Sequence, residues 1–167
     1  MALLWACSKS DGGSRPGRFR ASWTGADSGR FDAPAVGGWC TAERRLEVTA
    51  FRGDTGFGLV IYPMDSLTSG AYQAFDATDT AIVRPGAAVA TRWFTETMIQ
   101  GYRADSGTVS LALESGAVGG RFAVHMLEVA GGKVLRLQGT FGGINFGTAP
   151  EGCAADGPHQ GPPSGVS

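Results

Sequence analysis

The sequence predicts an all-β fold: an antiparallel β-sandwich of about eight to ten strands, with an up-and-down β-barrel as the alternative. Five segments alternate apolar and polar side chains with a period of two, the pattern of strands that bury one face. Triplets of aspartate, serine or threonine, and glycine recur between such segments and favour turns. Hydrophobic residues make up 43% of the chain and charged residues only 17%, so a packed core is expected and general disorder is not.

The alternating segments are spread over the whole body of the chain. Their apolar positions are Phe19, Ala21 and Trp23; Leu46, Val48 and Ala50; Val109, Leu111 and Leu113; Phe122, Val124 and Met126; and Leu135, Leu137 and Phe141. Phe57–Tyr62 is almost entirely apolar, which predicts a central strand covered on both faces. Turns are predicted at Asp27–Gly29, Asp54–Gly56, Asp105–Gly107 and Ala130–Gly132, where glycine accepts a positive φ.

The segment 85–101 is compatible with two kinds of structure. A proline–glycine pair before it and a glycine after it would suit the ends of a helix. Its many β-branched and aromatic residues, and the alternation of Val89, Thr91 and Trp93, favour strands instead. Strands with a bend between them are therefore predicted for this segment.

A chain of 167 residues is the usual size of one domain. Residues 18–150 are predicted to form the β-domain, residues 1–17 a signal remnant and tether, and residues 151–167 a disordered tail rich in glycine and proline. The net charge of −1 argues against a large basic surface for nucleic acid. No apolar run approaches the roughly 18–20 residues of a membrane-spanning helix.

The N-terminal stretch carries a motif that is typical of export. Leu4-Trp5-Ala6-Cys7 ends an apolar run and precedes a polar segment that contains several glycines. It resembles the end of a bacterial lipoprotein signal, in which a cysteine after a small residue is lipidated and becomes the new N-terminus. The resemblance implies that Cys7 is lipidated and holds the protein at the extracytoplasmic face of the cell envelope through lipid alone. Ser8 after that cysteine implies the outer membrane if the organism is Gram-negative.

The cysteine count suggests one covalent link within the domain. Lipidation of Cys7 would leave Cys40 and Cys153 of the three cysteines, and these two are predicted to form a disulfide. Its loop of about 113 residues would stabilise the fold by about 4–5 kcal/mol in the chain-entropy model. Two free thiols are the alternative.

The candidate binding surface consists of Arg92, Trp93, Phe94, Tyr102 and Arg103. Aromatic and arginine side chains on the face of a sheet can stack on sugars or anchor a protein partner. The alternative is that Trp93 and Phe94 are core residues, one toward each face of a covered strand.

A second short motif keeps the barrel in consideration. Gly37-Gly38-Trp39 is similar to the G-x-W motif of lipocalins, whose tryptophan closes one end of an eight-stranded barrel. The resemblance implies a lipocalin-like barrel as the alternative fold, and such a barrel could bind a small hydrophobic ligand.

No sequence pattern specifies catalysis. The chain has no G-x-S-x-G elbow, no phosphate-binding glycine loop and no cluster with zinc-ligand spacing, and alternation places His125 on the solvent side of its strand. We therefore predict a non-catalytic binding or structural lipoprotein of the cell envelope, without metal or cofactor. Its expected partner is an envelope protein, a glycan or a small ligand, and not nucleic acid. A small secreted hydrolase, in which two carboxylates, or His125 and a carboxylate, converge in a cleft, is the alternative.

Overall fold

A computed structural model describes residues 16–78, 81–94 and 97–145, which form nine β-strands and, within these ranges, no helix. The strands are β1 (Gly17–Gly25), β2 (Gly29–Cys40), β3 (Arg45–Arg52), β4 (Thr55–Tyr62), β5 (Gly70–Gln73), β6 (Gly86–Phe94), β7 (Ile99–Glu114), β8 (Ala117–Glu128) and β9 (Val134–Asn145). All pairings between these strands are antiparallel, which confirms the predicted all-β class.

Eight of the strands close into a barrel. β1 to β4 pair in sequence order, β4 pairs with β6, and β6 to β9 again pair in order. The pairing of β1 with β9, from Arg18–Gly142 to Gly25–Leu135, closes the ring. The up-and-down barrel that was the alternative therefore fits the structure. The expected sandwich is not found, because the two strands that would be its open edges are paired with each other.

The ninth strand, β5, is added along one edge of the longest strand. β7 has 16 residues, and β6 pairs only with its first part, Ile99–Arg103. β5 pairs with Thr108–Leu111, farther along the same strand. A bridge between Ala74 and Ala87 joins the end of β5 to the start of β6. β5 therefore continues the barrel wall where β6 no longer accompanies β7.

One predicted turn is wrong. Asp105–Gly107 lies inside β7, where the register shifts between Ala104 and Ser106 and Gly107 has a φ of 118°. A glycine with positive φ suits some β-bulges as well as several types of turn, so the same triplet is compatible with either. The predicted turns at Asp27 and Ala130–Gly132 do lie between strands. The turn predicted at Asp54–Gly56 is displaced toward the N-terminus: it is formed by Gly53, with a φ of 54°, and Asp54, whereas Thr55 and Gly56 belong to β4.

The ambiguous segment forms strands, as predicted. β6 ends at Phe94 and β7 begins at Ile99. Thr91 faces the interior and donates a hydrogen bond from its hydroxyl to the carbonyl of Gly56, 2.9 Å away. The prediction that β4 is covered on both faces is not met, since Val60 on its outer face is only half-buried. A barrel wall has one covered face, and apolar side chains on the other face stay accessible.

The barrel interior is filled by apolar side chains, with an aromatic cluster in its middle. Phe57 lies with its ring centre 4.6 Å from that of Phe31 and 5.4 Å from that of Phe19. Phe19 also stacks on Phe122 at 5.2 Å. Aromatic pairs at such distances add to the stabilisation that burial provides.

The two ends of the barrel carry different parts of the chain. The turns at 26–28, 53–54 and 129–133 lie at one end, called the turn end. The chain enters β1 at Gly17 and leaves β9 at Asn145 at the opposite end, called the terminal end. Cys40 and Trp39 also lie there; Cys40 is fully buried and Trp39 packs against the core. Cys7 and Cys153 lie outside the described residues, so lipidation and disulfide pairing remain predictions.

Candidate functional site

A groove of about 360 Å³ lies on the outside of the barrel over β3, β4, β6 and β7. We call it the outer groove. The residues that line it from the solvent side are Thr49, Phe51, Gly56, Gly58, Ala90, Arg92, Phe94, Gly101, Arg103 and Val129.

The floor of the outer groove is made of small residues that strand register places side by side. Gly56 pairs with Arg92 across β4 and β6, and Arg92 pairs in turn with Gly101 of β7. In the next outward-facing row, Gly58 pairs with Ala90. A Cβ added at Gly58 would meet no heavy atom within 4 Å, so another molecule can approach the sheet closely there, beside Gly56, which the ring of Phe51 covers.

Three apolar side chains form the walls of the outer groove. Phe51 is 70% exposed, Phe94 43% and Val129 56%. The ring of Phe51 lies over Gly56, because a Cβ added there would be only 2.6 Å from it. The backbone N–H of Val129 donates to the carbonyl of Gly101 at 2.8 Å, which holds this wall against the floor. Ile99, which pairs with Phe94 and is also exposed, extends the apolar surface toward the turn end.

The two arginines of the outer groove differ in how they are partnered. Arg103 forms an ion pair with Asp76, with 2.9 Å between its Nε and the carboxylate. The guanidinium carbon of Arg92 lies 6.0 Å from the ring centre of Phe94, within cation–π distance, and Arg92 forms no ion pair with any described residue. Arg92 is therefore a positive charge in an apolar setting that remains available to an anionic group.

Asp76 is held by three donors. Its carboxylate accepts hydrogen bonds from the backbone N–H of Thr78 at 3.0 Å, from the Thr78 hydroxyl at 2.7 Å and from Arg103. These bonds, that from the Thr78 backbone first, lower the pKa of Asp76 below its ordinary value despite a partial loss of hydration. The carboxylate therefore stays ionised and fixes Arg103 at the margin of the groove.

The structure divides the predicted binding surface into two sets. Arg92, Phe94 and Arg103 lie outside and line the outer groove, as a binding surface requires. Trp93 and Tyr102 point into the barrel, where their rings meet edge to face at 5.1 Å. Burial, with a smaller effect of nearby carboxylates, raises the pKa of the Tyr102 phenol. These two residues therefore belong to the core. For Trp93 this is the alternative interpretation of the sequence.

Phe51 and Val129 were not among the predicted site residues. Phe51 follows Leu46, Val48 and Ala50 but falls out of phase with them, and Val129 lies directly after β8. An apolar residue on the solvent side of an alternating strand was the available signal for Phe51. No feature of the sequence places Val129 beside it.

His125 is half-exposed on the outer face of β8, as predicted, and is paired with a carboxylate. Its Nδ1 is 2.8 Å from Oδ1 of Asp105, the residue at the bulge of β7. The Ser106 hydroxyl donates to the same carboxylate at 2.9 Å. Burial raises the pKa of Asp105, but the bonds from His125 and Ser106 outweigh it and the net pKa is lowered. Since Ser106 bonds to the carboxylate, it is not aligned with the imidazole as a nucleophile.

No protein-family model, curated protein or solved structure matches this chain. Within the described ranges, no group of three or more histidine, cysteine or acidic side chains could hold a metal ion. The same part of the chain contains no helix that is long and apolar enough to cross a membrane.

Proposed function

We propose that this protein is a non-catalytic module of the bacterial cell envelope that is anchored by lipid at Cys7 and binds a protein partner in its outer groove. The observation that carries the proposal is the cluster of exposed Phe51, Phe94 and Val129 around a floor of glycine and alanine. Contiguous apolar surface of this kind on a soluble domain marks interaction sites, and isolated exposed apolar residues do not.

The groove favours a particular chemistry in the partner. An apolar or aromatic side chain would rest on the floor between Phe51 and Phe94, where its burial would also remove those rings from water. A carboxylate next to it would pair with Arg92, the arginine of the groove that Asp76 does not already neutralise. The expected partner is thus an envelope protein that presents an apolar residue beside an acidic one.

The position of the groove agrees with a lipid anchor. Its apolar walls lie toward the turn end, whereas the chain enters the barrel at the terminal end, ten residues after Cys7. A tether of that length spans at most about 36 Å when fully extended. A barrel held in this way would direct the groove away from the anchored end.

The hydrolase alternative has one observation in its favour, the contact of His125 with Asp105. A hydrolase of this kind would lose all activity on ester or peptide substrates when His125 is replaced by alanine. The interior of the barrel, where a small hydrophobic ligand would bind, is occupied by the aromatic cluster around Phe57.

Site-specific photo-crosslinking in cells tests the proposed groove. A photoreactive amino acid would replace Phe51 in one version, Phe94 in a second and Val36 in a control. Val36 is 63% exposed on β2 and lies outside the groove. We expect one discrete crosslinked protein from positions 51 and 94, none from 36, and loss of the product when Arg92→Glu is added.

Two results would overturn the proposal. Equal crosslinking from all three positions would mean that the groove has no specific occupant. Saturable binding of purified envelope glycans that Phe51→Ser abolishes, without a crosslinked protein, would identify a glycan as the ligand. Radiolabelled fatty acid that enters the wild-type protein but not Cys7→Ala tests the anchor separately.

A further inference from the structure

A second surface, on the other side of the barrel, is strongly cationic. We call it the arginine face. It consists of the outward-facing arginines of four neighbouring strands: Arg18 and Arg20 on β1, Arg30 on β2, Arg121 on β8 and Arg136 on β9. The chain as a whole has a net charge of −1, so this clustering is a property of the fold.

Acidic residues are nearly absent from the same surface. β1, β8 and β9 contain one carboxylate, Glu128, whose side chain is 12% exposed at the turn end and lies 3.8 Å from Lys133. On β2, Asp32 lies 2.6 Å from Arg18 and 3.5 Å from Arg20, and these two arginines share its charge. Arg30, Arg121 and Arg136 form no ion pair with any described residue.

Strand register arranges the arginine face in rows. Thr140 of β9 lies between Arg20 of β1 and Arg121 of β8, its neighbours in register on either side. Since neighbouring strands are about 4.8 Å apart, the backbones of these two arginines are separated by about 10 Å. Small or polar side chains fill the positions between the arginines, and two depressions of about 620 and 380 Å³ lie over them. Phosphate groups could enter these depressions and accept two hydrogen bonds from one guanidinium.

The arginine face is opposite the outer groove. It is centred on β1 and β9, whereas the groove is centred on β4 and β6, four strands away around a ring of eight. Contact through the arginine face would therefore leave the groove accessible.

We propose that the arginine face docks on an anionic membrane surface and binds the phosphates of lipid headgroups. It is an extended surface without large exposed apolar side chains at its centre, and it begins at Arg18, directly after the chain enters the barrel at Gly17. Each basic residue near an anionic leaflet contributes to attraction, and an anchor at Cys7 would keep the arginine face beside that leaflet. This part of the argument rests on the proposed lipid anchor at Cys7.

Single-stranded nucleic acid is a less suitable partner for this face. Binding of single strands relies on aromatic side chains that stack with bases. The outward residues between the arginines are Ser22, Ala123, Gln138 and Thr140, which offer no such platform. The aromatic residues of β1, β8 and β9 are Phe19, Trp23, Phe122 and Phe141, and all four are buried inside the barrel.

Vesicle binding by the full-length, unlipidated chain tests the proposal. Sedimentation would compare vesicles of phosphatidylcholine with vesicles that also contain phosphatidylglycerol. We expect binding only to the anionic vesicles and its loss near about 1 M salt, where the Debye length falls to about 3 Å. Arg121→Glu changes the charge of the face by two units and should weaken binding about thirtyfold, since each unit of charge near the surface contributes about a factor of five.

Arg44→Glu is the matched control, since it makes the same change in net charge away from the arginine face. It should leave vesicle binding unchanged, and equal weakening by both variants would overturn the proposal. Binding to duplex DNA or a soluble polyanion without binding to anionic vesicles would also overturn it. The protein in this assay carries no lipid, so the assay is independent of the lipid anchor. Vesicle binding without fatty-acid labelling of Cys7 would support the docking surface and contradict the anchor. Labelling of Cys7 without vesicle binding would support the anchor and contradict the docking surface.

Discussion

At the scale of single residues, Asp76 shows how one carboxylate is placed by its neighbours. Its three hydrogen bonds, from both donors of Thr78 and from Arg103, all favour the ionised form and lower its pKa below the ordinary value of 3.8. A group whose folded-state pKa is lowered stabilises the fold above its unfolded pKa. That contribution is lost as the pH falls through the lower folded-state pKa.

We expect Asp76→Asn to lower the free energy of unfolding by about 1 kcal/mol near neutral pH, because the bond to Arg103 loses its charge. The difference from wild type should shrink as the pH falls below about 3.8, since the wild-type carboxylate then also loses its charge. Urea unfolding of both proteins across a pH series measures this difference in the free energy of unfolding. Asp65→Asn, at an exposed position without an ion pair among the described residues, is the control and should change stability by less than about 0.5 kcal/mol. A difference for Asp76→Asn that stays constant with pH would contradict this account.

The separation of Arg92, Trp93 and Phe94 shows what the sequence could predict about the site. Once this segment is taken as a strand, alternation places residues 92 and 94 on one face and residue 93 on the other. Alternation does not say which face is inside. Trp93 is inside because Trp23 and Tyr102 meet its ring edge to face at 5.2 and 5.1 Å, and Trp23 is distant in sequence.

At the scale of elements, Gly139 of β9 shows how the backbone makes room for the core. It faces the interior, where an added Cβ would lie 2.5 Å from the ring of Phe122 and 2.1 Å from the carbonyl oxygen of Arg20. The ring of Phe122 therefore occupies the space that a side chain at position 139 would need. A Cβ added at Gly142, in the same strand, would have no such neighbour within 4 Å.

Gly139→Ala should destabilise the protein by about 1–3 kcal/mol, since the core must shift to admit the methyl group. Gly142→Ala, in the same strand and without such a contact, should stay within about 0.5 kcal/mol of wild type. Thermal or urea unfolding followed by circular dichroism compares the two. Equal effects of the two substitutions would contradict this account, because they would show that the space beside Phe122 does not determine the cost at position 139.

The elements themselves were predicted better than their boundaries. Alternation identified the strands that contain Phe19, Val48, Phe122 and Leu137, because each buries one face against the same core. It failed at Asp105–Gly107, where β7 continues through the glycine because β8 pairs with it on both sides of the bulge. Such pairing depends on residues of the next strand, outside the triplet, so the local pattern could not distinguish a bulge from a turn.

At the scale of the whole molecule, alternation alone could not decide between a sandwich and a barrel, because both have one face inside and one outside. The deciding contact is the pairing of β1 with β9, which are more than a hundred residues apart. The same closure brings Arg18 and Arg20 onto the same outer face as Arg121 and Arg136, which are also about a hundred residues away in sequence. The net charge of −1 averages over this arrangement, and composition therefore gave no indication of the arginine face.

The barrel also bears on the predicted disulfide, because β9 ends at the terminal end, where Cys40 is fully buried. Cys153 follows Asn145 by eight residues, a span of up to about 28 Å that can reach the end of β2. A link between them would join two strands that enclose β1 and would oppose opening of the barrel at the β1–β9 seam. The disulfide would therefore stabilise the closed fold and not only the end of the chain.

We expect the oxidised protein to be lighter than the reduced protein by the mass of two hydrogen atoms, with Cys40 and Cys153 joined in the peptide map. Cys153→Ser should lower the free energy of unfolding by about 4 kcal/mol, because the open chain regains the entropy of a loop of more than a hundred residues. Cys7→Ser should leave both the mass difference and the stability of the unlipidated chain unchanged. A peptide map that joins Cys40 to Cys7 would contradict the pairing and also the lipid anchor, since a cysteine in a disulfide cannot carry a thioether-linked lipid. The same peptide map therefore tests the lipid anchor at Cys7 and the Cys40–Cys153 disulfide together.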